Sequence, residues 1–465
     1  MVINMSQQKN KYFIASIYYV IGNIIGQGVV LLSSAIFTRI MDKASYGMVN
    51  TYSAWVLVLN TFIGLNLFIT VRNAYLDYKD DYENYQSSIL LFSLIVYVVF
   101  TSIIIGVIKL AGINVDTFVV FIAALQAISV HTVNYSMAVL SMEGKYKPRT
   151  LLLVLPNVLH TLLSIILIII YTENKYYAKI IGNALGIFVF ALIIIIHTFH
   201  VKRPKYNKEY WGYAAKIAVP AIMCTLSDLI LLESDRIMLT ELSGPASTAV
   251  YSLIYNIGSI LIALYTAISG AWTPWFYKSV EKEKVSDIRK VESVYIGIFC
   301  FGAIGLLTIS PEIIKILSPK TYWSGIDYVS LIIIASYLIF LYSFLTTYLM
   351  YLKKPGVIAV NTAIAAGLNL ILNYFLIKQY DGIGAAVATI ISYTVLFVLH
   401  YFAAIRYRRD VFCLKTMLIS MLALIAYSVV FAFIKDLIVV RYCVVAIILI
   451  VLGYLYFTKK KDFKF

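Results

Sequence analysis

Charge is what this chain has least of. Asp, Glu, Lys and Arg make up 13% of its 465 residues, while hydrophobic residues make up 61%. A water-soluble protein of this length cannot cover itself with so little polar surface. Cysteine is also scarce: the four present (Cys224, Cys300, Cys413, Cys443) lie in or beside apolar segments. Their spacing matches neither a metal site nor a disulfide framework. Long polar loops are missing too, since no connection between apolar runs is much longer than about 15 residues. That leaves no room for a soluble domain. It counts against the enzyme alternative, a membrane glycosyltransferase or polymerase, which needs a sizeable loop carrying catalytic groups. The opening MVINMSQQKNK runs into a long apolar segment without a small-residue cleavage site, so it reads as a retained first helix.

What is present is a series of apolar runs. A helix needs about 20 residues to cross a hydrocarbon core of about 30 Å, and about fourteen runs qualify by length and hydropathy. They include 12–38, 46–71, 179–200, 213–242, 356–378, 382–406 and 442–458. The fold class is therefore an all-α polytopic membrane protein with about fourteen transmembrane helices. Two six-helix lobes in pseudo-twofold arrangement and two C-terminal helices account for them. The division is 1–11 N-terminus, 12–200 N-lobe, 201–212 linker, 213–406 C-lobe, 407–458 additional helices and 459–465 basic tail.

The net charge of +15 comes from short basic clusters between apolar runs, among them Lys145, Lys147 and Arg149, then Lys202, Arg203, Lys205 and Lys208. This alternation fits cytoplasmic loops and anionic lipid rather than nucleic acid. It predicts a multi-pass protein of the cell (cytoplasmic) membrane with both termini cytoplasmic. The acidic-aromatic segment Asp77–Glu83 reads as a solvated turn, because no His or Cys joins it in a ligand pattern.

The stretch Pro220–Gly244 stands out, a membrane span that carries Asp228, Glu233, Asp235 and Arg236. Ionisable groups at bilayer depth cost at least about 2.5 kcal/mol on insertion scales and usually face a bundle interior or wet cavity. Asp228 and Asp235, seven apart, share a helix face, and Glu233 and Arg236 form an i, i+3 pair. These carboxylates are the ion-coupling candidates; for Glu233 and Asp235 a solvated ion pair at the surface serves equally well. Asp235-Arg236-Ile237-Met238 also echoes Thr38-Arg39-Ile40-Met41 at the end of the first span, a weak internal repeat. Parallel repeats place a substrate path between lobes.

Polar residues form stripes on three spans. Asn23, Gln27, Ser34 and Thr38 fall within about 60° of one another on the first. Tyr251, Tyr255, Ser259, Thr266 and Ser269 repeat the design, and Thr362, Asn369 and Asn373 share a face further on. Any one of them can serve only as hydrogen-bonding glue between helices; three aligned stripes point to a hydrophilic cavity. His131 lies mid-span, where it suits a proton relay or a bond to a neighbouring helix. His197, His200 and His400 read as interfacial.

The motifs Ile36-Phe37-Thr38-Arg39-Ile40-Met41, Tyr46-Gly47 and Gly64-Leu65 before Arg72 together resemble the oligosaccharide (polysaccharide-repeat) flippases. These belong to the multidrug/oligosaccharidyl-lipid/polysaccharide exporter superfamily. Asp235-Arg236-Ile237-Met238-Leu239 and Leu368-Asn369-Leu370-Ile371-Leu372-Asn373 leading to Asp381-Gly382-Ile383-Gly384 extend the likeness over nearly the whole chain. The resemblance implies a V-shaped, two-lobe, non-enzymatic transporter without an organic cofactor, with proton or sodium coupling. Its implied partner is a polyprenyl-diphosphate-linked oligosaccharide, alongside membrane lipid and other polysaccharide-assembly membrane proteins. Arg39, Arg72 and Arg236 are the implied diphosphate contacts, and Asn23, Gln27, Tyr255, Asn369 and Asn373 candidate sugar contacts. A cation-coupled multidrug exporter and a lipid II flippase are the alternatives within the superfamily.

Overall fold

The computed structural model describes the backbone of residues 2–459 and the side chains of 17–270 and 272–450; Lys460, Lys461 and Lys464 of the predicted tail lie outside them. The described residues form helices without strands: α1 (Val2–Ile40), α2 (Lys43–Ile63), α3 (Thr70–Asp77), α4 (Tyr82–Leu110), α5 (Thr117–Met142), α6 (Tyr146–Ile170), α7 (Lys175–Val201) and α8 (Lys208–Ser243). They continue as α9 (Pro245–Glu281), α10 (Val285–Leu317), α11 (Val329–Tyr351), α12 (Pro355–Ile405), α13 (Leu414–Ile434) and α14 (Ile438–Lys459).

Eleven of these helices are long and apolar enough to cross a membrane, α12 being taken as one. At 51 residues α12 would run about 76 Å, more than twice a hydrocarbon core of about 30 Å. It breaks at Asp381, whose φ of 53° and ψ of −133° are not helical. The two halves match the predicted spans 356–378 and 382–406. Taking them as two, α2 with α3 as one bent crossing, and the shorter apolar α14 as another gives the fourteen of the sequence reading.

The predicted span 46–71 is broken. α2 ends at Ile63, and the segment that follows turns by 63°. Leu65 (φ 45°) and Asn66 (φ 52°) are left-handed, a conformation that costs L-residues energy unless the surroundings enforce it. Two contacts do so. A Cβ on Gly64 would lie 2.2 Å from Nδ1 of His131 on α5, so only glycine fits there. The Asn66 side chain donates to Thr225 Oγ1 of α8 at 2.8 Å.

The chain divides into two compact units, Met1–Thr248 and Ala249–Phe465. In the first, α1 packs on α6, α2 on α5 and α8, and α7 on α5 and α6. Asp42 caps α2 by accepting from Ser45 N at 2.8 Å. Burial pushes its carboxyl up, but the Ser45 N–H and hydroxyl outweigh this and hold it below its ordinary range. Asn207 caps α8 through Glu209 N and Tyr210 N. The acidic-aromatic segment keeps its carboxylates exposed, as a solvated turn should. It also clamps the start of α8: Tyr213 donates to Asp77 at 2.6 Å, Tyr210 donates to Asp81, and Tyr78 donates to Glu209 at 3.1 Å. Acidic groups are favoured beside a helix N-terminus. Burial, then the Glu209 carboxylate, push the Tyr78 phenol up.

In the second unit α11 is the core, with Ile332, Ile333, Tyr337, Leu345 and Leu349 all buried. α12 packs on it, and α13 and α14 pack on α10. Arg441 of α14 is 1% exposed; its two terminal nitrogens reach the Glu312 oxygens at 2.5 and 2.6 Å, and one also reaches Thr308 O at 2.9 Å. His400 is not interfacial. It is fully buried, with Nδ1 3.0 Å from Leu396 O and its ring beside Tyr342. The close packing of α12 on α11 puts it there.

Candidate functional site

In the first unit the charged residues of α8 are spread along one helix. Arg236 pairs closely with Glu233, and both side chains are largely shielded, 12% and 13% exposed. Tyr46 of α2 lies within hydrogen-bonding range of Ser34 and Asn50 and within electrostatic range of Arg236. A hydroxyl chain runs alongside: Thr51 lies 2.5 Å from Thr240, which lies 2.7 Å from Thr248. Asp235 is buried. Asp228, two turns earlier, is exposed and follows by three residues the Thr225 that holds the α2 break.

The other two predicted arginines are not beside each other. Arg39 ends α1 and Arg72 lies on α3, so the 21 residues of α2, about 31 Å of helix, separate them. Arg39 is exposed and donates back to Ala35 O at 2.6 Å. Arg72 is exposed and lies within electrostatic range of Arg149. Arg149 lies 4.0 Å above the Tyr19 ring of α1, and its Nε is buried without a hydrogen-bond partner.

Arg149 is the cation that the sequence reading missed, because Lys145, Lys147 and Arg149 read together as loop charge. Three features make its position unfavourable on its own. It is in the first turn of α6, which has no acidic residue there, whereas the helix dipole favours anions at that end. A second guanidinium, that of Arg72, lies within electrostatic range. Neither arginine forms an ion pair among the described residues, while neighbouring Lys145 does, with Glu143 at 2.8 Å. Two cations within electrostatic range of each other, one of them at a helix N-terminus, suit an anion, since guanidinium groups bind phosphate oxygens in a bidentate fork.

The polar stripes are partly in place. On α1, Ser34 and Thr38 are buried and donate to Val30 O and Ala35 O of their own helix. Asn23 and Gln27 are half-buried. In the second unit Asn369 and Asn373 are fully buried, with Asn373 Nδ2 donating to Asn369 Oδ1 at 3.0 Å. Tyr255 is buried on α9.

Among the described residues, two helical units of membrane-length apolar helices with polar groups placed within the spans have the architecture of a membrane transporter. The chain belongs to the polysaccharide biosynthesis protein family, whose model matches residues 15–280. In fold it is similar to the lipid II flippase MurJ in an inward closed conformation, at 14% identity and a TM-score of 0.70 over 96% of this chain and 99% of that one. It is also similar to an inward-facing multidrug resistance MATE family transporter of the MOP superfamily, at 15% identity and a TM-score of 0.61 over 83% and 98%. A third similar structure is a MOP superfamily transporter from Pyrococcus furiosus, at 17% identity and a TM-score of 0.56 over 84% and 95%. No curated protein matches the chain.

Proposed function

We propose that this protein is a flippase that carries a polyprenyl-diphosphate-linked oligosaccharide repeat unit from the inner to the outer leaflet of the cell membrane, for surface polysaccharide synthesis. The observation that carries this reading is membership of the polysaccharide biosynthesis family. Arg72 and Arg149, two cations within electrostatic range of each other and ion-paired to no carboxylate among the described residues, support it. A diphosphate and its sugars cannot cross hydrocarbon unaided, because burying unpaired charge and hydroxyls costs many kcal/mol. Arginines, amides and hydroxyls replace the lost water while the lipid tail stays in the bilayer, and rocking of the lobes presents the headgroup to the other side. Both termini are cytoplasmic in this scheme, and Asp228 carries a coupling proton or sodium ion.

Deleting the gene tests this. Surface polysaccharide should be lost, with undecorated lipid-linked repeat units accumulating on the cytoplasmic leaflet, and the intact gene should restore export. Unchanged export with no accumulating intermediate would contradict the reading. The alternative of lipid II as substrate is supported by the fold likeness over 96% of the chain. It predicts instead that this protein rescues cells depleted of their lipid II flippase.

A further inference from the structure

Lys179, in the second turn of α7, is 5% exposed and forms no ion pair among the described residues. Its Nζ donates to Asn183 Oδ1 at 3.0 Å and lies 3.4 Å above the centre of the Phe37 ring, in the last turn of α1. One turn earlier on α7, Lys175 donates to Ile40 O, the last residue of α1, at 2.8 Å. Two lysines spaced i, i+4 thus grip one helix C-terminus, the end whose dipole favours cations. An aromatic face away from water adds to that attraction.

The rest of the pocket is made by α6. A Cβ on Gly182 would lie 2.5 Å from Ser164 Cα, and one on Gly186 would lie 2.3 Å from His160 Cα, so the two backbones touch. This brings Ser164 Oγ to 3.1 Å from the same Asn183 oxygen. His160 Nε2 is 3.2 Å from Asn157 Oδ1, which makes Nε2 the donor and leaves a lone pair on Nδ1. That Nδ1 is buried, and Asn183 lies within hydrogen-bonding range of the ring. Asp42, just past α1, caps α2 and lies within electrostatic range of Lys175; other nearby groups are engaged elsewhere. Asp116, before α5, accepts from Tyr177 at 2.5 Å, Tyr52 of α2 donates to Gln126 of α5, and His131 of α5 presses on Gly64.

We infer that the end of α1, α6 and α7 enclose a binding site for a monovalent cation, and that the chain fills it with its own ammonium group, Lys179. An amide oxygen, a ring face and a helix C-terminus meet the ammonium, and no carboxylate is ion-paired to it among the described residues, a set that attracts a cation of low charge. The first unit then needs no soluble ion at this place to join α1 to α7. The inference is independent of what the protein transports.

Chemical rescue of the purified full-length chain tests it through its thermal unfolding midpoint. Lys179→Ala should unfold several degrees below the unsubstituted chain. Millimolar n-butylammonium should restore at least half of that difference, while 1-butanol, of the same length without charge, should not. The ammonium should leave the unsubstituted chain unmoved. Equal rescue by the alcohol, or none by the ammonium, would overturn the inference. If Lys179→Ala does not fold, Lys179→Arg and Lys179→Met decide between charge and bulk. Arg should unfold closer to the unsubstituted midpoint than Met, and a Met variant equal to the unsubstituted chain would overturn the inference.

Discussion

Arg441 and Arg149 are both arginines near the start of an apolar helix, and the fold treats them in opposite ways. Arg441 is 1% exposed, and its terminal nitrogens are held by both Glu312 oxygens and a backbone carbonyl, although its Nε has no partner. It fastens α14 to α10, and Glu312 neutralises its charge. Arg149 has a ring beneath it and a second guanidinium in electrostatic range, but no ion pair to a carboxylate among the described residues. A cation whose needs are met inside the protein reports on structure. A cation within range of another cation and without an acid is suited to an anion that arrives from outside.

The largest expected effect falls on the satisfied arginine, and it is a loss of stability. Arg441→Met leaves Glu312 without its partner and should cost roughly 3 kcal/mol, whereas Arg441→Met with Glu312→Met should recover most of it. Denaturant unfolding in detergent separates the two. If the single and double variants are equally stable, the pair is not the fastening described. Arg149→Glu should behave the other way, unfolding like the unsubstituted chain but exporting at least about tenfold less polysaccharide. Arg149→Lys should keep part of the activity, because it retains the charge and loses the fork. The same series at Arg39, Arg72 and Arg236 shows which of them join Arg149. Arg236 should respond least, since Glu233 already neutralises it.

Asp228 comes next. Asp228→Asn keeps the size and a hydrogen-bonding head, so it should fold normally and lose transport driven by an imposed proton or sodium gradient. Full gradient-driven transport by the variant would remove the coupling role. The smallest effect concerns Asp42. Its folded carboxyl is held below the ordinary value, so the cap contributes fully above the unfolded value. That contribution is lost as pH falls through the lowered one. Asp42→Ala should cost about 1 kcal/mol at neutral pH, and the penalty should shrink in acid. A penalty constant from neutral pH to below pH 3 would show that ionisation does not matter to the cap.

These contrasts also show what could be read in the sequence. The break in α12 was legible because Lys378-Gln379-Tyr380-Asp381-Gly382 interrupts an apolar run with local chemistry that ends helices. The break after α2 was not. Gly64-Leu65-Asn66 sits in a run apolar enough to continue, and what turns it is His131 on α5 and Thr225 on α8, contacts formed only on folding. Arg236 and its carboxylates were visible as charges inside a span. Arg149 and Lys179 sit within a turn or two of a helix start, where sequence reads a basic residue as interfacial. Only the approach of α1 and α6 shows that both are partly or fully enclosed. A lysine just before Gly182-Asn183-Ala184-Leu185-Gly186 was the available signal, since small residues four apart bring backbones together.

The central claim is that Arg72 and Arg149 help to move a lipid-linked diphosphate. The direct measurement is translocation of a fluorescent polyprenyl-diphosphate oligosaccharide in vesicles holding the purified full-length chain, read by a membrane-impermeant quencher. The unsubstituted chain should carry the probe across the bilayer. The Arg72→Glu, Arg149→Glu double variant should leave it where it was placed, with Arg441 and its ion pair intact in both. Translocation by the double variant at the unsubstituted rate would contradict the account.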